Sequence, residues 1–481
     1  MLGKHPFCST FAGVPHPSSP PAPSRLSFGF LTLFGLGGLA GYYSTAAVQM
    51  LATPVYQMTL GVDPVWLGIM LTIPRILDAI VDPVIGNLSD NTHTRFGRRR
   101  PFIVFGAVAM GLAFGLIWMV PSGWTQAAQL TWFGLTSVVF FFFHSVFSVP
   151  LQSLGYEVTP DYDERTRVMG FSSFWNRVGE LTYSWVFPLS QLAWFATPMI
   201  GVRWVAWGVA ALFLAMPGAI AGIVGRERFA HLTEHQKKVR FWPTVRAAAA
   251  NRPFRYLAAI VISTLLVGML ASSMDYYLLV YHVCHGDLVQ GSMWKGVLSS
   301  AYGIVGLLSV PVLTFLSKRL GKERTMIAIL GLLVVGASAR WWIYRPGAGW
   351  WLILDPILGG GAVWVAITMI VQSMFADICD DDELTSGQRR EGLFGAVFSW
   401  LMKTGVSLSF LSTGAVLNLV GFDVARKADQ MPHTILGMRI FLSVAPALAA
   451  LGCIVLLSKY PITRARAAET RRLLEARRGV V

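Results

Sequence analysis

The sequence is short of charge and of cysteine, and both shortages restrict the classes of protein to which it can belong. Only 13% of its 481 residues are charged, whereas a soluble globular chain carries about 25%. The four cysteines, Cys8, Cys284, Cys379 and Cys453, are too widely separated for a disulfide framework or a zinc site. No nucleotide-binding loop, zinc motif or catalytic triad can be recognised in the sequence. We therefore expect a membrane protein that is not an enzyme and uses no organic cofactor.

Long apolar runs, by contrast, are abundant. Hydrophobic residues make up 54% of the chain, and the mean hydropathy is +0.55. Twelve runs reach the roughly 20 residues that a helix needs to cross a bilayer, and backbone groups in lipid must be satisfied within the segment. The runs cover residues 28–50, 64–90, 101–121, 127–151, 168–196, 201–225, 254–283, 293–317, 324–344, 350–376, 392–418 and 434–459. The sequence predicts an all-α membrane protein with twelve transmembrane helices.

The longest polar stretch lies between Gly225 and Arg255 and divides the runs six and six. Two six-helix halves are the layout of the major facilitator fold, in which the substrate binds between the halves. The first 25 residues are rich in proline and serine, which is typical of disorder. The predicted divisions are a disordered N-terminal tail over 1–27, a bundle over 28–225, a central loop over 226–253, a second bundle over 254–460 and a basic tail over 461–481.

Basic residues collect on one side of the predicted membrane. The chain has 39 lysines and arginines against 25 acids, so its formal net charge is +14. If the N-terminus is cytoplasmic, 29 of the 39 lie in cytoplasmic tails and loops, as the positive-inside rule predicts. We therefore expect a bacterial-type inner-membrane protein with both termini in the cytoplasm. Because topology accounts for the basic surplus, we expect no nucleic-acid partner.

Acidic residues inside the second run are the first candidates for function, since ionisable groups in hydrocarbon cost several kcal/mol. Asp78 and Asp82 are four residues apart and share one face of a helix. Two convergent carboxylates can coordinate Na⁺ or hold an exchangeable proton. The alternative is that one of them simply pairs with Arg75 of the same run and stabilises packing. We favour a cation site, because two acids on one intramembrane face are costly without a cation.

Polar clusters at the predicted cytoplasmic ends of the runs are candidates for a gate. Each places acidic residues close to arginines, and such pairs can hold helix ends together in one transport state. Ordinary topogenic charge explains part of the arginine content. The acidic cluster after the tenth run could also indicate a divalent metal, but the neighbouring arginines favour a charge-paired gate. The predicted gate residues are Asp90, Arg95, Arg98, Asp161, Arg165, Asp377, Asp380 and Arg389.

Three motifs resemble the glycoside–pentoside–hexuronide:cation symporters, the melibiose-permease group of the major facilitator superfamily. The first motif, over 78–97, reads Asp-x-x-x-Asp-Pro-x-x-Gly and then Arg-x-Gly. The second covers 157–167, and the third covers 376–394 with Lys403 after it. The resemblance extends over about 28–460. It implies a cation-coupled transporter of the major facilitator fold.

The resemblance also implies roles for particular residues. In the family, two carboxylates of the second span bind the coupling cation with help from a hydroxyl of the fourth span. This implies a site for Na⁺ or H⁺ at Asp78, Asp82 and Ser145, with Ser148 close by. The family's lysine of the eleventh span lies near the cation and the sugar. It corresponds to Lys403, which would be the charge partner of the site.

The sugar-binding positions depart from the family's pattern. Two acids and a tryptophan of the family are here replaced by Tyr42, Ser148 and Gln152, and an arginine falls on Ser173, one turn before Arg177. This departure implies that the solute is a different sugar or belongs to another class. Related animal transporters of the group carry lysophospholipids, so an amphiphile is one such class. Arg177 also stands three residues from an acid, Glu180, which favours an internal pair. The predicted cavity residues are Tyr42, Tyr43, Gln152, Asn176, Arg177, Asp275, Trp364 and Gln372.

The resulting hypothesis is a transporter that couples Na⁺ or H⁺ to the symport of a sugar, glycoside or related small solute. It would work by alternating access in the lipid bilayer, as a monomer. Two alternatives stay open. One is a transporter of a lysolipid or other amphiphile with the same cation site, and the other is a non-transporting receptor on the same fold. Two acids with nearby hydroxyls mildly favour Na⁺ over H⁺.

Overall fold

The computed structural model describes residues 25–92, 94–121, 123–159, 162–225, 227, 246, 249–386, 391–423, 426 and 429–478. Its α-helices are numbered α1 to α16 in chain order. They are α1 (Phe28–Ala52), α2 (Pro64–Asn91), α3 (Arg100–Ile117), α4 (Gln126–Glu157), α5 (Tyr162–Thr182), α6 (Val186–Ser190), α7 (Pro198–Val209), α8 (Met216–Val224), α9 (Arg252–Leu278), α10 (Leu288–Leu320), α11 (Lys322–Ile343), α12 (Gly361–Ala366), α13 (Gln372–Ser386), α14 (Glu391–Leu419), α15 (Pro432–Ser458) and α16 (Arg464–Arg478).

Several helices are continued by wider or tighter turns. The π-helical turns are Thr53–Thr59, Ala210–Ala215, Leu279–Val283, Pro356–Gly360 and Ile367–Val371, and the 3₁₀ turns are Tyr183–Trp185 and Gly349–Ile353. The tenth apolar run, predicted as one helix, therefore consists of consecutive short segments. Pro356 has no N–H to donate, and the glycines that follow it are weak helix formers, so this run departs from a regular α-helix.

Nine continuous stretches of the described chain are long and apolar enough to cross a membrane. They are Pro64–Asn91, Arg100–Ile117, Gln126–Gly155, Pro198–Val224, Arg252–Val283, Leu288–Leu320, Lys322–Ile343, Gly349–Thr385 and Pro432–Ser458. Three further long helices, α1, α5 and α14, pack among them. The predicted all-helical class is confirmed, and the described residues contain no strand. The count of twelve crossings stays a prediction.

The helix α2, which contains both acids of the second run, begins at a strong start signal. Asp63 caps it by accepting a hydrogen bond from the backbone N–H of Val65 at 2.9 Å, and Pro64 takes the first helical position. The cap satisfies an amide that has no partner within the helix, and proline suits this position because it has no N–H. The helix is unbroken through Asp78 and Asp82, so the two acids do share one face.

Each of the two regions flanking residues 226–248 has apolar cores of its own. One cluster joins buried residues from Leu26 to Leu214, and two others join residues between Phe254 and Ile462. Glycine allows close helix packing within a region. A Cβ on Gly38 of α1 would lie 2.1 Å from the carbonyl oxygen of Ser172 in α5, so a side chain would separate these helices.

The helices α2 and α14 form the most extensive contact between the two regions. A Cβ on Gly68 would lie 2.8 Å from the carbonyl oxygen of Phe410, and a Cβ on Gly414 would lie 2.6 Å from that of Pro64. Two glycines thus let the helix backbones approach each other. The contact brings the second half of α2 beside the middle of α14, where Lys403 lies.

Candidate functional site

Asp78 and Ser145 form the buried side of the candidate site. Asp78 is only 1% exposed, and the buried hydroxyl of Ser145 on α4 donates a hydrogen bond to its Oδ1 at 2.7 Å. A hydroxyl that donates to a carboxylate stabilises the ionised form of the acid. Ser148, predicted as a neighbour, is half-buried about one turn further along α4. The structure thus brings together the acid and the hydroxyl that the motifs predicted.

Lys403 completes the site from the other region of the chain. Its Nζ donates to Asp78 Oδ2 at 3.0 Å and also contacts Asp82 Oδ2. The side chain of Lys403 is 32% exposed and that of Asp82 is 27% exposed, whereas Asp78 is fully enclosed. One ammonium therefore bridges both carboxylates, and helices α2, α4 and α14 meet at this point.

Arg75, the alternative partner of the acids, bonds elsewhere. Its Nη2 donates to the carbonyl oxygen of Thr45 at 2.5 Å, and its guanidinium lies 4.5 Å from the centre of the Phe141 ring. The side-chain oxygen of Gln49, once the amide is oriented correctly, also accepts from Nη2 at 2.7 Å. Arg75 still lies close enough to Asp78 to add positive charge to the site. Its hydrogen bonds, however, tie α2 to α1.

Two buried polar atoms at the site have no hydrogen-bond partner within the described part of the chain. They are Asp82 Oδ1 and His144 Nδ1. Unpaired buried polar atoms are uncommon, because each forgoes roughly 1–3 kcal/mol of hydrogen bonding. An oxygen of this kind can ligate a cation, and a ring nitrogen of this kind can take a proton. The site therefore has unused capacity for a positively charged ligand.

His144 was not found by the sequence reasoning. It directly precedes Ser145 on α4, is 7% exposed, and packs edge-on against Phe141 with ring centroids 6.1 Å apart. A single histidine among phenylalanines looked like part of an apolar run. The signal that could have found it is the rule that any ionisable group inside a span is a functional candidate.

The charges of the site determine what it can do. Asp78 and Asp82 contribute two negative charges, and Lys403 and Arg75 contribute two positive charges, so the group is balanced. An ammonium is itself a monovalent cation. The position of Lys403 Nζ between two carboxylates is therefore one that another monovalent cation could take if the lysine moved away.

The predicted cavity residues of the first region are divided between surface and core. Gln152 and Asn176 are exposed. Tyr43 is buried, with its hydroxyl donating to Thr182 Oγ1 at 3.0 Å, whereas Tyr42 packs edge-on against Tyr183. Tyr43 is thus a core residue of the first region.

Arg177, also predicted for the cavity, forms an ion pair with Glu180, as the spacing of three residues suggested. In the second region, Gln372 and Trp364 are exposed. Asp275 is engaged by Lys295, whose Nζ donates to its Oδ1 at 2.5 Å. Sequence reasoning did not single out Lys295, which lies near the start of an apolar run, where a lysine can reach towards the membrane surface.

A small cavity lies between the two regions, closer to the start of α2 than the cation site is. It has a volume of about 70 Å³ and lies between α1, α2, α9 and α14. Polar side chains of Gln49, Thr53, Gln57, Ser273, Tyr277 and Thr413 face it. The Tyr277 hydroxyl donates to Gln57 Oε1 and thereby joins the two regions on the side where α2 begins.

Charged residues at the far end of α2 form a network within the first region. Arg99 donates hydrogen bonds to Asp90, the shorter at 2.6 Å, and forms an ion pair with Glu157 at 2.8 Å, and Arg98 donates to Glu157 at 2.9 Å. Glu227 accepts backbone hydrogen bonds at the start of α3, at 2.8 to 3.1 Å. The sequence pointed to this cluster but not to the roles of Arg99, Glu157 and Glu227, because pairing depends on how distant helix ends meet.

The remaining predicted gate residues are less well connected to one another. Arg95 is exposed over the ring of Phe96, and Asp377 pairs with Lys322 at 2.5 Å. Asp380 is partly buried in α13. Asp161 and Arg389 lie outside the described residues, as does the side chain of Arg165.

The sequence profile of the family described as MFS/sugar transport protein matches residues 33–464. A putative glycoside/cation symporter of Escherichia coli strain K12 is 23% identical, over 92% of this chain and 94% of that protein. The isoprimeverose transporter of Lactiplantibacillus pentosus is 24% identical, over 85% of this chain and 83% of its own length. A sodium-dependent lysophosphatidylcholine symporter of Danio rerio is 22% identical, over 95% and 91% respectively.

Among solved structures, a nucleoside transporter superposes with a TM-score of 0.65 at 15% sequence identity, covering 89% of this chain and 99% of that one. At this identity the likeness shows the fold alone. Together with the family match over residues 33–464, it confirms the predicted major facilitator class of fold.

Proposed function

Because the chain belongs to the MFS/sugar transport protein family, we propose that it couples a monovalent cation to the symport of a sugar, glycoside or related small solute. Membership makes the protein a multi-pass membrane transporter and not an enzyme. It also confirms the resemblance that the three motifs indicated, since relatives include a glycoside/cation symporter. The coupling, the cation and the solute are the parts that we propose.

The observation that carries the proposal is the bridge that Lys403 makes to Asp78 and Asp82. The acids belong to α2 and the lysine to α14, so the bridge crosses the contact between the two halves. A cation bound to the carboxylates would compete with the ammonium. Cation binding would then weaken one attachment between the halves and alter their relative position, which is the link that coupled transport requires.

Alternating access follows if the two halves rock about this contact. We take residues 28–225 and 254–460 as the two rigid bodies and place the solute between them. The predicted gate residues at the cytoplasmic ends, including Asp90, Arg98 and Asp377, would stabilise helix ends in one state and rearrange in the other. Both termini would face the cytoplasm of a bacterial-type cell, in the inner membrane.

The solute would contact polar side chains of both halves. Gln152 and Asn176 of the first half and Gln372 of the second are accessible and able to bond hydroxyl groups of a sugar. Arg177 could reach the same space, although Glu180 holds it in this conformation. A single chain holds all the residues of this site, so we propose a functional monomer.

One observation favours a second candidate, a lysolipid or related amphiphile. The position of a sugar-binding acid in the resembling family is Tyr42, which packs against the ring of Tyr183, with ring centroids 5.3 Å apart. An aromatic pair offers apolar contact and no carboxylate for sugar hydroxyls. A relative named for sodium-dependent lysophosphatidylcholine symport aligns over 95% of this chain.

The test is accumulation of radiolabelled solutes by proteoliposomes containing the purified full-length protein. The panel includes hexoses, pentoses, glycosides, glucuronides and lysophosphatidylcholine, each under an imposed Na⁺ gradient, a pH gradient or neither. We expect one class to accumulate above its external concentration only when a cation gradient is present. Equilibration without accumulation would contradict symport, and the responding class decides between the two candidate solutes.

A further inference from the structure

We propose that the small cavity between the two halves is a subsite for an uncharged solute with several hydroxyl groups, and that Gln57 is the residue that recognises this solute. The solute would occupy the cavity when the halves separate on the side where α2 begins. The inference rests on the proposed function and deepens it, because it names the class of solute. It also adds a residue outside the predicted cavity set, and it favours a sugar or glycoside over a lysolipid.

An unused hydrogen-bond donor is the first argument. The side chain of Gln57 faces the cavity, the residue is 2% exposed, and its Oε1 accepts a hydrogen bond from the hydroxyl of Tyr277. Its Nε2 has no partner among the described residues, although this nitrogen carries two N–H bonds. A buried amide that serves only packing normally has its nitrogen satisfied. The cavity therefore offers a donor to an oxygen atom of a ligand.

Two hydroxyl groups of the cavity supply acceptors. Ser273 Oγ donates to the carbonyl oxygen of Met269 at 3.1 Å, and Thr413 Oγ1 donates to that of Ser409 at 2.9 Å. Each hydroxyl proton is thus used within its own helix, while each oxygen keeps lone pairs that can accept from a ligand. A hydroxyl group both donates and accepts, so it matches the acceptors and the free donor together.

The cavity has no charged side chain among the described residues that line it. A carboxylate or a phosphate placed there would lose water without gaining a counter-charge from the lining, which is unfavourable. Leu71 and Phe410 add apolar surface, against which the C–H groups of a sugar ring can pack. The lining therefore suits a neutral sugar better than a phosphocholine head group.

The cavity is closed in this conformation. Its volume of about 70 Å³ is room for about two water molecules, whereas small-molecule sites measure roughly 300–1,000 Å³. Gly68 and Gly414 line it at the place where α2 and α14 approach most closely. The bond from Tyr277 to Gln57 also joins the halves there. Separation of the halves would widen the cavity and release both groups of the Gln57 amide to the solute.

One side chain connects the cavity to the cation site. Gln49 faces the cavity and, once its amide is oriented correctly, accepts from Arg75 Nη2 at 2.7 Å. Arg75 in turn lies close enough to Asp78 to add positive charge to the cation site. A solute that contacts Gln49 would therefore touch a continuous chain of polar groups that ends at the cation site, which gives the two ligands a physical route for coupling.

The first experiment measures occupancy of the cavity with a thiol reagent. Thr413→Cys is prepared in the full-length protein in lipid nanodiscs. The control is Ser412→Cys, which is next in sequence and is not one of the described residues that line the cavity. Mass spectrometry follows the rate at which a small methanethiosulfonate reagent modifies each introduced cysteine. The neutral probes are D-glucose, D-xylose and their methyl β-glycosides, and the charged probes are D-glucuronate and lysophosphatidylcholine.

We expect at least one neutral probe to slow modification of Thr413→Cys roughly tenfold at about ten times its Kd, by mass action, and to leave Ser412→Cys unaffected. Protection by a charged probe alone would overturn the proposal. Protection by no probe would also overturn it, since the cavity would then hold only water. A Thr413→Cys thiol that the reagent never reaches would contradict the opening of the cavity and overturn the proposal as well.

The second experiment separates recognition by Gln57 from its contact with Tyr277, using variants made in the Thr413→Cys protein. Gln57→Met removes the amide and the contact, whereas Tyr277→Phe removes the contact and keeps the amide. We expect the protecting probe to bind roughly fivefold more weakly to Gln57→Met, which has lost a neutral hydrogen bond. Tyr277→Phe should bind it at least as tightly as the parent does. Equal weakening in both variants would mean that Gln57 only closes the cavity, which would refute its recognition role.

Gln57→Glu is a third variant in case Gln57→Met does not fold, and melting temperatures identify the folded proteins. It keeps an acceptor for Tyr277 and loses the amide donor, so it should also weaken binding. Unchanged binding in this variant would refute recognition by Nε2.

Failure of this proposal differs from failure of the proposed function. A probe that wild-type protein accumulates under a cation gradient, but that does not protect Thr413→Cys, would refute the subsite and leave the symport intact. A probe that protects Thr413→Cys, in a protein that accumulates none of the probes under any gradient, would refute the symport and leave the subsite intact.

Discussion

Two buried groups of charges in this molecule differ in how they are held. The cation site joins Asp78 and Asp82 of one half to Lys403 of the other, and two of its buried polar atoms have no partner among the described residues. The second group lies within the C-terminal half. There Asp275 bonds Lys295 at 2.5 Å, and a neighbouring acid bonds an arginine.

The second group is densely bonded. Arg340 Nε donates to Asp355 Oδ1 at 2.7 Å, and the hydroxyl of Tyr344 donates to Asp355 Oδ2 at 2.9 Å. Tyr302 donates to the same oxygen at 2.5 Å. Every one of these contacts links helices of the same half, so rocking of the halves would leave them intact. The comparison suggests that the fully bonded group stabilises a rigid body, whereas the incompletely bonded group changes during transport.

The largest effect that we expect is a loss of stability when the buried ion pair between Asp275 and Lys295 is broken. Asp275→Asn should lower the stability of the folded protein by about 3–5 kcal/mol, because it leaves the buried Lys295 without its counter-charge. The melting temperature in detergent would fall by several degrees. The double variant Asp275→Asn with Lys295→Met should recover most of the loss, since it removes both charges. A single variant as stable as wild type would contradict a structural role for the pair.

A smaller effect, on the affinity for the coupling cation, is expected when the hydroxyl of Ser145 is removed. Ser145→Ala removes the 2.7 Å hydrogen bond to Asp78, and a bond to a charged group contributes about 1.5–3 kcal/mol. The cation concentration that half-saturates uptake should therefore rise roughly tenfold or more. The maximal rate of uptake is expected to change little. The matched control is Ser458→Ala, which removes an exposed hydroxyl at the end of α15, and an equal effect of both variants would count against the site.

The smallest effect is expected from removing the charge of Lys403. This change should strengthen cation binding, whereas Ser145→Ala should weaken it. Lys403 is a partly exposed competitor, so its removal should tighten binding of the coupling cation by about 1 kcal/mol, or roughly fivefold. The concentration of cation that half-saturates uptake by Lys403→Met gives the measurement. Lys459→Met changes a lysine just beyond the end of α15 and should have no effect. Weaker cation binding in Lys403→Met would mean that the lysine supports the cation and does not compete with it.

The sequence was most informative at the charged residues that lie inside apolar runs. Asp78, Asp82 and Lys403 stood out because such groups are rare inside apolar runs, and the spacing of four residues placed the acids on one face. The all-helical class followed from the same runs. Their meeting with Ser145 was indicated by the resemblance, since nothing in the spacing of separate runs says which of them touch.

What the sequence could not supply is the pairing between distant helix ends and the local widening of helices. The partners of Asp90 and Asp377 are Arg99 and Lys322, and their selection depends on how whole helices pack. The π turns likewise arise where tertiary packing, proline and glycine act together. His144 could have been noticed, because it is an ionisable group inside a span.

The most direct test of the central claim is gradient-driven accumulation by Asp78→Asn in proteoliposomes, with the solute that the panel identifies. The control is Asp423→Asn, which makes the same change in a loop. We predict that Asp78→Asn equilibrates the solute but does not concentrate it, while Asp423→Asn accumulates it as wild type does. Accumulation by Asp78→Asn at the wild-type level would show that this carboxylate is not the coupling site.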